Sequence, residues 1–240
     1  MITNNEISLL TKKYASLFDI HYDSSFDNAV RSVVSTFPAS HKEPQFVCVA
    51  GLPGCGKTVF CRTESKFKDF FVLDPDEYRC FHKSYVHIPA EELISRTNGI
   101  INIIGCTLLE IALKNRINVV ICGTFVNREF WCSAFERHAD CLKKYKKHMF
   151  IIAAPYEVCV ESIEQRFIKE SAIAGIVARE PDINFLNRHK QGFSSSMKKY
   201  IDSGFFDSFT LFSRNGTDAD CVTVETRGEI IEIWQSITGE

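Results

Sequence analysis

The stretch Gly51-Leu52-Pro53-Gly54-Cys55-Gly56-Lys57-Thr58 constrains this chain more than any other. It satisfies the pattern G-x-x-x-x-G-K-[ST], and it stands between the short apolar run Phe46-Val47-Cys48-Val49-Ala50 and a helical pattern over residues 57–68. The apolar run has the form of a strand buried on both faces. A glycine turn from such a strand into a helix lets successive backbone N–H groups converge on phosphate oxygens. In that arrangement Lys57 reaches the β- and γ-phosphates of ATP, and Thr58 offers its hydroxyl to Mg²⁺. The plain alternative is a turn that only joins strand to helix.

The rest of the chain alternates in the same way. Apolar runs at residues 70–73, 118–122 and 149–153 each end in a polar or turn residue, and helical spacing fills residues 90–115, 128–146, 156–170 and 182–202. That alternation predicts an α/β protein with a P-loop kinase fold, a mostly parallel sheet covered by helices on both faces. Ligands then belong at the carboxyl ends of the strands. A late pair of strands at 208–212 and 221–225, around Arg214-Asn215-Gly216, precedes a last helix over 228–237. Ahead of it all, Ile7, Leu10, Tyr14, Leu17 and Phe18, then residues 26–37 up to Pro38, read as two amphipathic helices. Residues 1–45 are therefore expected to form a helical N-terminal extension and residues 46–240 the P-loop domain.

Composition narrows the function. With 240 residues, 45% of them hydrophobic, and a net charge of -2, the chain suits one core-bearing domain and offers no field for a polyanion. A small-molecule partner is expected, with no nucleic acid and no membrane. The ten cysteines fall in no CxxC pair or zinc ladder and read as small core residues in a reducing compartment. The N-terminus lacks a basic segment followed by an apolar stretch, so a cytoplasmic location is expected, with delivery into another cell left open.

Asp74-Pro75-Asp76 closes the strand after the loop. Two carboxylates there face a γ-phosphate, one to organise Mg²⁺ and one to take a proton from an attacking hydroxyl. Asp74 is the candidate for the metal beside Thr58. The alternative is an acidic turn that caps the next helix. Arg166 and Arg179 flank a less regular stretch and suit a lid that carries cations over the transferring group, or else two solvated surface arginines. The basic run at residues 143–148 reads as a solvated helix end. No N-K-x-D segment for guanine occurs.

The sequence also resembles a family. Asp74-Pro75-Asp76-Glu77-Tyr78-Arg79 with His82, Ile163-Glu164-Gln165-Arg166-Phe167, Val177-Ala178-Arg179, Ser203-Gly204-Phe205-Phe206-Asp207 and Leu211-Phe212-Ser213-Arg214-Asn215-Gly216 are similar to segments of the zeta-toxin kinases of bacterial toxin–antitoxin systems. The likeness runs over about residues 40–217. It implies transfer of phosphate from ATP to the sugar hydroxyl of UDP-N-acetylglucosamine. Carried over by position, Lys57 and Thr58 bind ATP and magnesium, Asp76 is the base, and Arg166 and Arg179 clamp the phosphates. Thr124 helps place the substrate, as His82 could, and a small antitoxin binds across the nucleotide site.

Three positions depart from that pattern. Cys122 and Cys106 stand where the family has glutamates, and Val126 replaces an arginine, with Arg128 nearby and Glu110 one turn beyond Cys106. The phosphate half of the site is kept while the acceptor half is altered. Two other readings therefore stay open: a kinase for another small hydroxyl compound such as an antibiotic, a dinucleotide or a metabolite, and a nucleotide-binding interaction protein without catalysis.

Overall fold

The computed structural model describes residues 2–214 and 229–239. Five strands, β1 (Gln45–Gly51), β2 (Phe71–Leu73), β3 (Val119–Gly123), β4 (Lys146–Ala153) and β5 (Ser208–Ser213), form one sheet in the order β2-β3-β1-β4-β5. Every pairing among them is parallel. The expected sheet is thus found, with the strand at 208–213 in place, while the one expected at 221–225 lies outside the described residues. Central β1 is buried over all but its first residue, as a strand covered on both faces must be. On one face Phe46 packs edge-on against Phe135 of α5 (Arg128–Arg137). On the other, Cys122 meets Cys61 of α3 (Lys57–Thr63), and Phe150 meets Phe60.

Two expected helices are shorter than their patterns suggest. The helix from Lys57 stops at Thr63, because Glu64 is extended and the chain turns so that Phe67 packs on Phe60 and Phe150. The ammonium of Lys66 then lies over four rings, Phe60, Phe67, Phe150 and Phe212. The stretch 128–146 divides into α5 and the short α6 (Ala139–Leu142), and Lys146 already belongs to β4. The cause is tertiary: buried His138 is turned toward Tyr14, and the hydroxyl of Tyr145 donates to the carbonyls of Leu113 and Ile117, where the preceding long helix ends. The basic run is therefore half turn and half the start of a strand, with Lys146 paired to Glu43 and Lys147 to Asp207.

That long helix, α4 (Leu93–Lys114), is the spine of the N-terminal half. Residues 90–114 are long and apolar enough to cross a membrane, yet most of the stretch is buried inside the protein, as a core helix would be. Helices α1 (Asn4–Leu17) and α2 (Ser25–Val34) pack on it and contribute Ile7, Tyr14, Ala15, Phe26, Ala29 and Val30 to the same core as the sheet. Thr3 and Glu6 close a capping box at the start of α1. The attachment is polar as well as apolar. Tyr14 and Lys13 both reach Glu110 of α4 at 2.7 Å, and Lys114 holds its other oxygen. Among the described residues the remaining α-helices are α7 (Tyr156–Ser171), α8 (Ile183–Asp202) and α9 (Glu229–Thr238).

Burial alone would raise the Glu110 carboxyl, but hydrogen bonds from Lys114, Lys13 and Tyr14 bring it down to about 2. Burial also depresses His138, to about 4. As pH falls, the unfolded chain takes up a proton at His138 from about 6.5 and at Glu110 from about 4.5, before the folded state does. Stability is therefore lost between about pH 6.5 and 4 through His138, and between about 4.5 and 2 through Glu110. Urea unfolding should register about 2–3 kcal/mol from Glu110 across its window. In Glu110→Gln that lower segment of the curve should flatten.

Candidate active site at the head of the sheet

The carboxyl ends of β1, β2 and β3 open together. In the parallel register Ala50 lies opposite Gly123, and Leu73 opposite Ile121, so the glycine loop, Asp74 and Thr124 follow neighbouring strand ends. The chain leaves central β1 for the edge strand β2 and later returns to pair on its other side as β4, which makes the head of β1 the crevice where such folds bind ligands.

The loop's backbone is shaped by two glycines. Gly54 has φ +82°, and a Cβ there would come within 2.2 Å of the Cys159 carbonyl oxygen on α7. Gly56 has φ +96°, and a Cβ would meet the Arg214 guanidinium at 2.8 Å. Leu52 and Cys55 are buried anchors, and Pro53 is half-buried between them. Lys57 curls back over the loop, donating to the carbonyls of Gly51 at 3.0 Å and Leu52 at 2.8 Å. Thr58 donates to Asp74 Oδ2 at 2.8 Å.

The carboxyls of Asp74 and Asp76 are shifted in opposite directions. Asp74 is 8% exposed, and burial followed by the charge of Asp76 pushes its carboxyl up, against the hydrogen bonds from Thr58 and the Asp76 backbone. Its Oδ1 accepts that backbone N–H and so caps the 3-10 turn Pro75–Phe81. At Asp76 partial burial also raises the carboxyl, but Arg179, Arg79 and then Arg166 outweigh it and hold the group below its ordinary value. The Asp76 side chain is 50% exposed, at the mouth of the crevice. Such a divergence between neighbouring carboxyls is a mark of acid–base sites.

Arg179 crosses from the loop between α7 and α8 to Asp76 Oδ2 at 2.9 Å. Arg166 stands on α7, with its Nε buried and without a hydrogen bond among the described residues, 3.9 Å from Glu170. Glu170 also accepts the Arg179 N–H at 3.3 Å, so one carboxylate organises both arginines. Thr124 is half-buried after β3 and precedes Phe125, whose φ of +55° is strained for an aromatic residue. His82 ends the turn that bears Asp76 and accepts from the Ser84 N–H.

Glu110 and Cys122 are both engaged within the packed fold. Glu110 is bound to α1, and it lies about 20 Å along α4 from Thr97, the residue that touches the Asp76 turn. Cys122 donates to Cys61 at 2.9 Å and faces α3. Three groups were not assigned from sequence. Arg79 forks onto Asp76, Glu170 accepts the Arg179 backbone N–H and lies 3.9 Å from Arg166, and Arg214 donates to the Gly54 carbonyl at 3.4 Å. Arg79 was visible in principle, one helical turn from Asp76, and so was Glu170, one turn beyond Arg166 on α7, whereas the Arg214 contact is tertiary.

A nucleotide phosphate and a divalent cation fit these residues. The loop holds two glycines at positive φ, the Arg166 guanidinium on α7 has an Nε with no hydrogen bond among the described residues, and a hydroxyl and a carboxylate adjoin. This is the P-loop kinase arrangement. The chain belongs to the zeta toxin family, whose model matches residues 27–234. The fold is similar to that of a protein of the PezAT chromosomal toxin-antitoxin system of Streptococcus pneumoniae, at 18% identity and TM-score 0.72, covering 91% of this chain and 89% of that one. It is also similar to a chain of the AvrRxo1-ORF1:-ORF2 complex with ATP, at 15% identity and TM-score 0.58, covering 98% and 73%. A putative kinase from Chloroflexus aurantiacus gives 16% identity and TM-score 0.50, covering 62% and 80%. No curated protein sequence matches the chain.

The loop's geometry can be tested without any ligand. Gly54→Ala should cost about 2 kcal/mol or more in unfolding free energy, from the positive φ and the clash with the Cys159 carbonyl. A stability equal to the parent's in chemical denaturation would show that the loop does not hold that conformation.

Proposed function

We propose that this chain is a cytoplasmic kinase that transfers the γ-phosphate of ATP to a hydroxyl of a nucleotide sugar, with UDP-N-acetylglucosamine as the leading acceptor. The observation that carries the reading is the contact between Arg179 and Asp76, which brings a cation of the C-terminal half onto the carboxylate that follows β2. A module that only bound nucleotide would need the glycine loop but neither this acid nor the lid arginines. In this reading residues 46–240 carry the reaction, and the helical extension 1–45 is a scaffold packed on α4.

The residues divide the work by position. Backbone N–H groups of the loop Gly51–Thr58, Pro53 excepted, donate to the phosphate oxygens, and Lys57 exchanges the carbonyls of Gly51 and Leu52 for the β- and γ-phosphates. Mg²⁺, held by Thr58 and Asp74, would supply charge neutralisation between those phosphates. Arg166 and Arg179 meet the charge spread over the transferring group. Asp76, kept ionised by its arginines, accepts the proton of the attacking hydroxyl, with Thr124 and His82 at the acceptor's edge. Family membership and the likeness to a toxin–antitoxin protein favour a small protein antitoxin as partner.

One observation favours a different acceptor. Cys122 is engaged with Cys61 and Cys106 is 7% exposed, so neither presents a carboxylate to a sugar where the family pattern has one. The alternative is another small hydroxyl compound phosphorylated by the same machinery.

The test is label transfer from γ-labelled ATP to a panel of nucleotide sugars, dinucleotides, antibiotics and small alcohols. UDP-N-acetylglucosamine should be the preferred acceptor. Asp76→Asn should lower transfer by about 10²–10⁴, yet bind ATP at least as tightly as the parent, since Arg179 loses its competing carboxylate. Transfer undiminished in Asp76→Asn would sink the assigned mechanism. ATP binding with no product from any acceptor would point to the non-catalytic alternative.

A further inference from the structure

Asp76 carries an arginine on each carboxylate oxygen. Arg79 donates to Oδ1 from both Nε (2.9 Å) and Nη2 (2.6 Å), and Arg179 donates to Oδ2 from Nη1 (2.9 Å). The two arginines differ in what holds them. Arg79 is 7% exposed, and its remaining nitrogen, Nη1, donates to Thr97 Oγ1 at 2.6 Å and Asn98 Oδ1 at 3.2 Å on α4. The Thr97 hydroxyl proton is committed to the Leu93 carbonyl, so its lone pair is aimed at Arg79. Every arm of this guanidinium is therefore fixed by the helix or by Asp76. Arg179 instead sits in a segment without regular secondary structure, tied by its own N–H to Glu170.

A general base needs one oxygen turned to the incoming hydroxyl and one held still. We infer that Arg79 is a positioning residue that clamps Oδ1 of Asp76 against α4 and so reserves Oδ2 as the oxygen that receives the acceptor's proton. The inference rests on Asp76 being the base. In the step it serves, the acceptor O–H bond breaks and its oxygen forms the new bond to phosphorus. The proton passes to Oδ2, and ADP departs with the electron pair of the broken P–O bond. Arg179 must vacate Oδ2 first, and the phosphate is the anion to which it transfers. Arg79 has no comparable alternative, because leaving Asp76 would strand a buried cation. The other charged groups around the carboxylate are Asp74 on the same turn and Arg166 from α7, and neither has a hydrogen bond to an Asp76 side-chain oxygen.

Two measurements test this on the full chain. In a crystal structure with AMP-PNP and Mg²⁺, Arg79 should remain within hydrogen-bond distance of Oδ1 while Arg179 has left Oδ2. An Arg79 detached from Asp76, or an Oδ1 turned to the γ-phosphate, overturns the inference. In kinetics, ATP turnover is followed with UDP-N-acetylglucosamine and with water alone. Arg79→Lys should lower kcat about 10- to 100-fold with the KM for ATP nearly unchanged, and Arg79→Gln should lower it further. Thr97→Val, close in size and retaining the arginine, should give a smaller loss of the same kind, and it keeps the test open if the arginine variants fail to fold. A parental kcat in these variants, or a loss carried wholly by the KM for ATP, overturns the inference. If Asp76→Asn keeps parental turnover, the base reading fails and this inference with it. An inactive Asp76→Asn beside a fully active Arg79→Lys overturns the inference alone.

Discussion

Asp74 accepts from Thr58 through one carboxylate oxygen and from the Asp76 backbone through the other, and it does so almost wholly buried. A carboxyl in that setting is costly unless its lone pairs are filled, so the two hydrogen bonds are conditions of the fold as much as features of the site. They couple elements that are far apart in sequence. Thr58 fixes the first turn of α3, and therefore the exit of the glycine loop. The Asp76 N–H fixes the first turn of the 3-10 segment, and therefore the placement of Asp76 and Arg79. The distance between the glycine loop and Asp76 is set through this single group.

Around it the charges are arranged in pairs whose members have unequal freedom. Arg79 is locked and Arg179 is held by contacts a phosphate could replace. Lys57 rests on neutral carbonyls and Arg166 lies at 3.9 Å from Glu170, so both retain capacity for an anion. Desolvation would make four cations around two carboxylates unstable if all were buried, but Asp76 and Arg166 open to the crevice. Excess positive charge at the mouth, with the fixed pair beneath, is what a site for a polyphosphate requires.

The parts of this design that were legible in the sequence are the ones built by adjacent residues. A loop of eight residues between a buried strand and a helix can be read because strand burial, glycine conformation and the lysine are contiguous. Asp74 and Asp76 could be read because they end a strand. The early end of α3, the division of residues 128–146 and the fate of Glu110 were not legible, and each has the same cause. Phe67 turns toward Phe150, Tyr145 toward the end of α4 and Tyr14 toward Glu110, contacts between side chains distant in sequence that override helical periodicity. The Arg179 contact with Asp76 is of that kind too. Sequence spacing could place the arginine on a lid, but only the packed chain selects its carboxylate.

The acceptor side follows from the same logic of adjacency. Because Cys122 is opposite Val49 in the parallel register, its side chain is directed to the face covered by α3, where Cys61 meets it. A glutamate in that place would have to leave the packed face or bury a charge beside Asp74, whose carboxyl is already raised by burial and by Asp76. The thiol pair therefore avoids a crowding of carboxylates beside Asp74. Val126 extends the apolar wall, since a Cβ on Gly192 of α8 would meet it at 3.1 Å, and Ser196 of the same helix donates to its carbonyl. Thr124 and Val126 thus follow β3 on a segment that α8 covers, while Arg179 reaches Asp76 from the segment that precedes that helix.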